Sequence, residues 1–133
     1  MDNCVFCKII KGEIPHNKIW EDDDFIASLS IDPIKPGHTL VIPKKHTDYI
    51  FDMEDVELGK LIVACKPIAK ALKVVFKPQT GKIGVMVAGM GVFHVHIHLI
   101  PMDSEHDLNF DLAKRASSEE LQENVEKIKS AFK

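Results

Sequence analysis

Phe93-His94-Val95-His96-Ile97-His98-Leu99-Ile100-Pro101 is the stretch on which the fold turns. Alternate side chains of a strand share a face. The alternation predicts a strand over residues 92–100, ended by Pro101, with Val95, Ile97 and Leu99 in a core and His94, His96 and His98 in a row on an exposed face. Three accounts of that row compete. Chance polar filler is the plainest, but histidine is too uncommon to fill three alternating positions without a reason. A single metal held by all three is excluded by reach. Neighbours at i and i+2 stand roughly 6.6 Å apart and the outer pair roughly 13 Å, whereas zinc binds imidazole at ~2.0–2.1 Å. Two of the three could share an ion. The third account, acid–base and nucleophilic chemistry at phosphorus, leads. Clustered imidazoles oppose one another's protonation, which keeps one neutral as a nucleophile while a neighbour donates to phosphate oxygens.

Working outward, Ala88-Gly89-Met90-Gly91 reads as a turn and residues 82–87 as a strand before it. Residues 54–76 carry Leu58, Leu61, Ile62, Cys65, Ile68, Ala69, Leu72 and Phe76 at helical spacing, with Lys60, Lys66, Lys70 and Lys73 off the stripe. Pro67 predicts a kink in that long helix. Residues 3–11 predict a short helix, ended by Gly12 and Pro15. Strands at 18–20 and 25–29 flank the acidic turn Glu21-Asp22-Asp23-Asp24, and the turn formers Asp32-Pro33-Ile34-Lys35-Pro36-Gly37 lead into a strand at 38–43. Ser117 and Glu120 have capping-box spacing, and Leu121, Val125, Ile128 and Phe132 then line one face of a terminal helix. The sum is an α+β fold: an antiparallel sheet of about five strands with helices on one side, among them one long kinked helix, a short N-terminal helix and a C-terminal helix. No repeat, low-complexity tract or linker divides residues 1–133, so a single domain is expected.

Bulk properties narrow the partners. A net charge of -3 argues against a nucleic-acid polymer, whose binding shows as a clustered basic excess. No apolar run approaches the ~20 residues that span a bilayer, which argues against a membrane. Met1-Asp2-Asn3-Cys4 lacks the basic region and apolar core of a secretory signal, and three cysteines suit a reducing compartment, so a cytoplasmic location is expected. Cys4 and Cys7 form a Cys-x-x-Cys pair. Two thiols on a short helix need no function, and a redox role lacks the βαβ setting. Half of a tetrahedral Cys₂His₂ zinc site remains. Cys65, on the apolar stripe, reads as an inert core thiol, and His16 and His106 as solvent residues in loops.

His94-Val95-His96-Ile97-His98-Leu99-Ile100 resembles the signature of the histidine triad (HIT) nucleotide-binding family, His-φ-His-φ-His-φ-φ with φ apolar. Two more stretches match in order. Cys4-Val5-Phe6-Cys7-Lys8-Ile9-Ile10-Lys11-Gly12-Glu13-Ile14-Pro15 resembles the family's opening, and Pro36-Gly37-His38-Thr39-Leu40-Val41-Ile42-Pro43-Lys44-Lys45-His46 its central strand. The likeness spans residues 4–101 and leaves the tail from about 102 to 133 uncovered. It implies a homodimer formed by extending the sheet, and hydrolysis or transfer of nucleoside monophosphates through a covalent nucleotidyl-histidine. By motif position His96 resembles the nucleophile, His98 the residue that contacts phosphate and assists the leaving group, and His38 a supporting histidine. Relatives with the cysteine pair resemble zinc proteins, which implies one structural Zn²⁺ on Cys4, Cys7, His46 and His94.

Two departures stand out. The family's ribose-reading Asp is Ser30 here, with Asp32 nearby as a substitute if the turn places it inward. The phosphate loop's Gln-Ser or Gln-Thr is Met90-Gly91, which leaves the backbone amide of Gly91 to bind phosphate. The expected function is a nucleotide phosphoramidate or dinucleoside polyphosphate hydrolase, or a nucleotidyl transferase. A non-catalytic module that binds a nucleotide or a partner is the alternative.

Overall fold

The computed structural model describes residues 3–132, so Met1 and Asp2 of the opening tetrapeptide lie outside the described residues. The elements in chain order are α1 (Val5–Ile10), β1 (Lys18–Glu21), β2 (Phe25–Leu29), β3 (Thr39–Pro43), α2 (Asp55–Phe76), β4 (Lys82–Met86), β5 (Ile97–Met102) and α3 (Ser118–Ala131). Single 3₁₀ turns lie at Ile50–Asp52, Glu105–Asp107 and Phe110–Leu112. The five strands form one antiparallel sheet in the order β1-β2-β3-β5-β4.

Strand alternation sends Ala27, Leu29, Val41, Ile97 and Leu99 to one face, where α2 contributes Leu61, Ile68 and Leu72 and α3 contributes Leu121, Val125 and Ile128. Ile26 and Ile42 face the other way and pack under Phe6 of α1. Helices therefore cover both faces, not one as expected. A six-residue helix carries little apolar surface of its own, and only the contacts of Phe6 show where it docks.

The histidine stretch departs from its predicted strand. The ladder of β5 starts at Ile97 rather than residue 92, and residues 91–94 are bends. There the His94 N–H bonds to the Val92 carbonyl and the Val95 N–H to the Thr47 carbonyl, so the backbone leaves the sheet before β5 begins. The row is also not exposed: His94, His96 and His98 are 0%, 6% and 7% accessible. Pro101 lies within β5 instead of ending it. It pairs with Ile83 on one side and stands beyond Thr39, the start of β3, on the other, so the strand has one neighbour there and a free side for the missing donor.

The long helix forms as predicted with one correction. Ile62, assigned to the stripe, is exposed, and the buried positions are Leu61, Ala64, Cys65, Ile68, Ala71 and Leu72. Ala64 and Ala71 let the helix axis approach the sheet where a larger residue would hold it off. Pro67 sits inside the unbroken 22-residue helix. The carbonyl it leaves without a donor belongs to Val63, which is exposed, so water serves instead. At the end of α2 the Phe76 ring packs against Gly37, whose φ of +90° and lack of a Cβ both suit the turn into His38.

Candidate active site

The strand register assembles the site. Ser28 is opposite Leu40 and Leu40 opposite His98, so these side chains share the α1 side of the sheet. His38, one residue ahead of β3, shares that side. Its proton positions follow from its partners. The Ile34 N–H donates to His38 Nδ1 at 3.0 Å, which obliges Nε2 to carry the proton of the neutral ring. His38 Nε2–H then donates to His98 Nδ1 at 2.9 Å, leaving the proton of His98 on its own Nε2. His96 is set the opposite way. Its Nδ1–H donates to the His94 carbonyl at 2.7 Å, so His96 Nε2 holds a lone pair. The row thus presents an acceptor nitrogen on His96 beside a donor nitrogen on His98, with ring centroids 4.8 Å apart.

Burial keeps these rings neutral. Desolvation, then the charge of His96, holds His38 down to about 4. Desolvation, then His96 and His38, brings His98 to about 3. Burial also lowers His96, against the stabilising bond to the His94 carbonyl. Phe6 supplies part of the cover, edge-on to His96 at 4.9 Å.

Ser30 lies beside His38: its N–H donates to the His38 carbonyl at 2.9 Å, and its Oγ accepts from the Asp32 N–H at 3.3 Å. The Asp32 carboxylate stands at the surface, bound to Arg115 at 2.6 Å. Gly91 is exposed and lines a cavity of about 310 Å³ with Cys4 and His46. The cavity that reaches His96, about 460 Å³, is lined instead by Ala88, Gly89 and Met90 of the same loop, with Tyr49, Phe51 and Phe93. His16 is not the solvent residue expected. It is half-buried, with Nδ1 3.1 Å from the Oγ of buried Ser28. Ser28, at an inward position of an otherwise apolar strand, is the signal that could have flagged a partner. His106 is exposed, as expected. Burial pushes the Cys65 thiol up to about 11, which suits an inert core residue.

A second cluster joins three distant segments. Cys4 capping α1, Cys7 in its first turn, His46 after β3 and His94 before β5 bring their ligand atoms within 4.8 Å of one another. Cys4 Sγ and Cys7 Sγ stand 3.3 and 3.6 Å from His94 Nδ1, Cys7 Sγ stands 3.3 Å from His46 Nδ1, and the two Nδ1 atoms are 3.1 Å apart. A tetrahedron built on Zn–S of ~2.3 Å and Zn–N of ~2.0–2.1 Å has S···N edges of about 3.6 Å and an N···N edge of about 3.4 Å. These four distances are within a few tenths of an ångström of that, and the remaining two pairs, Cys4 with Cys7 and Cys4 with His46, lie within 4.8 Å. His94 Nε2–H donates to the Pro43 carbonyl at 2.7 Å, which leaves the Nδ1 lone pair aimed at the cluster, the usual outer support of a metal-bound histidine. The residues fit a structural zinc ion.

Comparisons with known proteins agree with this geometry. Residues 11–105 match the HIT domain family. A Hit-like protein of Bartonella henselae superposes with a TM-score of 0.86 at 38% identity, over 98% of this chain and 97% of that one. A zinc-bound histidine triad protein of Mycobacterium smegmatis superposes at 0.83 with 28% identity, over 98% of this chain and 94% of that one. The adenosine 5'-monophosphoramidase of Saccharomyces cerevisiae is 42% identical over 105 residues, 77% of this chain and 64% of its own length. With the triad, the strand order and the domain match in agreement, the chain belongs to the histidine triad (HIT) family.

Proposed function

We propose that the chain hydrolyses nucleotide-like phosphoramidates or phosphate esters through a covalent adduct on His96. The observation that carries this is the hydrogen-bond pattern that frees the His96 Nε2 lone pair and leaves a proton on His98 Nε2. In the first step His96 Nε2 bonds to phosphorus as the P–N bond of a phosphoramidate breaks. The bonding pair stays on the departing nitrogen, which carries a proton taken from solvent, and the amine leaves neutral. In the second step water adds to phosphorus, the pair of the His96–P bond returns to Nε2, and one proton goes back to solvent. His98 stays neutral throughout and donates to phosphate or the departing atom, with His38 locking its tautomer. Ser30 and the backbone of the Ala88–Gly91 loop, Gly91 included, are the substrate contacts in this reading. Asp32 reaches substrate only by releasing Arg115. The yeast phosphoramidase supports the reaction class by its likeness.

One Zn²⁺ on Cys4, Cys7, His46 and His94 serves structure in this scheme, since His94 spends its ring on the cluster and leaves His96 and His98 to the substrate. We read the chain as one domain, because α3 packs into the same core as α2, and as cytoplasmic, with none of its three cysteines in a disulfide. A homodimer would extend the sheet through β4, whose outer edge carries exposed Val85.

The test is a panel of adenosine and guanosine phosphoramidates assayed for release of the amine, with acid-quenched protein examined for phosphorus on histidine. Turnover and adduct are expected in the native chain and absent in His96→Ala, with the fold unchanged by circular dichroism. A His96→Ala chain with near-native turnover overturns the assignment. Tight AMP binding with no turnover of any member favours the non-catalytic module, to which the missing Gln and Ser donors at Met90 and Gly91 already lend some weight.

A further inference from the structure

The two thiols of α1 are placed to bond to each other. Their setting is not that of an oxidoreductase, but nothing in it keeps the pair from being oxidised itself. Cys4 is the N-cap of α1 and Cys7 stands three residues on, with the Cys7 N–H donating to Cys4 Sγ at 3.4 Å. A helical turn sets Cα atoms at i and i+3 about 5 Å apart, inside the span that a disulfide bridges. The two Sγ atoms lie within 4.8 Å of each other. Both thiols are part-exposed, whereas Cys65 is buried. Cys4 also lines the open cavity of about 310 Å³ beside His46 and Gly91, so a small oxidant reaches its sulfur without the fold opening.

Phe6 stands between the two cysteines in sequence. Its ring lies edge-on to His94 at 5.9 Å and to His96 at 4.9 Å, and it is the buried residue of a helix only six residues long. One short helix therefore carries both the thiols of the cluster and the cover of His96. We propose that Cys4 and Cys7 are a reversible oxidation site for a peroxide, and that their oxidation frees α1 and lifts Phe6 off His96. This rests on the zinc reading of the cluster, in which both sulfurs are thiolates. Cys4 Sγ attacks one peroxide oxygen, the O–O bond breaks, and the departing hydroxide takes a proton from solvent. Cys7 Sγ then bonds to Cys4 Sγ as the S–O bond breaks, and the second hydroxide is protonated in turn. The pair has lost two electrons, the peroxide has become two waters, and two solvent protons are consumed. A disulfide carries no charge to offer a cation, so His46 and His94 alone face the ion and the set of four is broken. A reducing thiolate that attacks the disulfide returns both sulfurs, which makes the bond transient in a reducing compartment.

The experiment treats the zinc-loaded full chain with hydrogen peroxide and reads three quantities. These are zinc released to a chromogenic chelator, the mass of the peptide that carries Cys4 and Cys7, and hydrogen exchange over residues 5–10. Zinc is expected to leave as the Cys4–Cys7 disulfide forms, with the amides of residues 5–10 exchanging about tenfold faster and those of α2 unchanged. Dithiothreitol with fresh zinc should restore all three, and Cys65→Ala should behave as the native chain does. Zinc retained through an excess of peroxide overturns the proposal, as does release with both thiols driven to sulfinic acid and no disulfide. A disulfide formed while α1 keeps its protection overturns it too, since Phe6 would then stay in place. Each of these leaves the zinc reading standing. A native chain that binds no zinc removes the reading of the cluster, and this inference with it.

Discussion

His96 and His98 sit two residues apart, on either side of Ile97 where β5 begins, yet hydrogen bonding gives them opposite protonated nitrogens. His96 takes its setting from a carbonyl two residues back, and His98 from a chain that begins at the Ile34 N–H. Long-range ¹H–¹⁵N spectra should show both as neutral opposite tautomers, with His98 and His38 still neutral near pH 5, well below the free value of about 6.5. A normal titration of His98 near pH 6.5 would dissolve the pattern. The sign for stability follows. The unfolded chain takes up protons on these histidines below about pH 6.5, while the folded chain holds His38 neutral to about 4 and His98 to about 3. Their contribution is therefore complete above pH 6.5 and is lost as the pH falls through that window. Ser30 makes a different prediction. If Ser30 contacts the sugar as proposed, its hydroxyl reads it more weakly than a carboxylate would, so Ser30→Asp should sharpen ribose over 2′-deoxyribose discrimination. Met90→Gln with Gly91→Ser should raise turnover, since one preorganised donor commonly contributes about 10²–10³ in rate. If neither change moves its quantity, the substrate is read by other residues.

At the scale of elements, α1 is the case where local sequence explains least. Its six residues are too few to persist alone in water, and it is held by Phe6 packed on Ile26 and Ile42 and by the two thiols beside His46 and His94. Stripping metal from a zinc-loaded chain should therefore unmoor α1 and lower the thermal midpoint. Each kcal/mol lost moves the midpoint by about 4 °C in a domain of this size. Cys7→Ser should reproduce the loss, and elemental analysis that finds no zinc in protein purified without chelators would sink the site. By contrast α2 was legible to within a residue at its ends, because its stripe runs through six turns and tolerates one misassigned Ile62. The parity of His96 and His98 was legible too, since alternation decides which face a side chain takes. Where the ladder of β5 begins was not, because that depends on His94 turning toward thiols ninety residues away. Burial of the row was equally hidden: its covers, Phe6 and Phe110, come from opposite ends of the chain and carry no periodic signal.

For the whole molecule the open question of shape is what meets β4. It is an edge strand with Val85 exposed, and Val87 is exposed just past its end, and such an edge invites pairing with a second copy about a two-fold axis. Light scattering at micromolar concentration should report twice the 15.0 kDa of one chain, and a monomer at that concentration would rule out the sheet-extended dimer. The clasp of residues 31–33 by 114–116 could not be foreseen from composition, since Asp32 and Arg115 are 83 positions apart. The thiol–imidazole cluster has an analogous separation with a consequence in time. Cys4 and His94 are 90 positions apart, so a ribosome adding 5–20 residues per second leaves the first thiols waiting roughly 5–20 s for their last ligand. Until then the nascent chain offers two bare thiols on a segment too short to hold its own helix. If the cluster holds zinc as proposed, metal loading and docking of α1 both wait until His94 has been made, and a cell short of zinc would release a chain whose sheet is built while its first helix is still adrift.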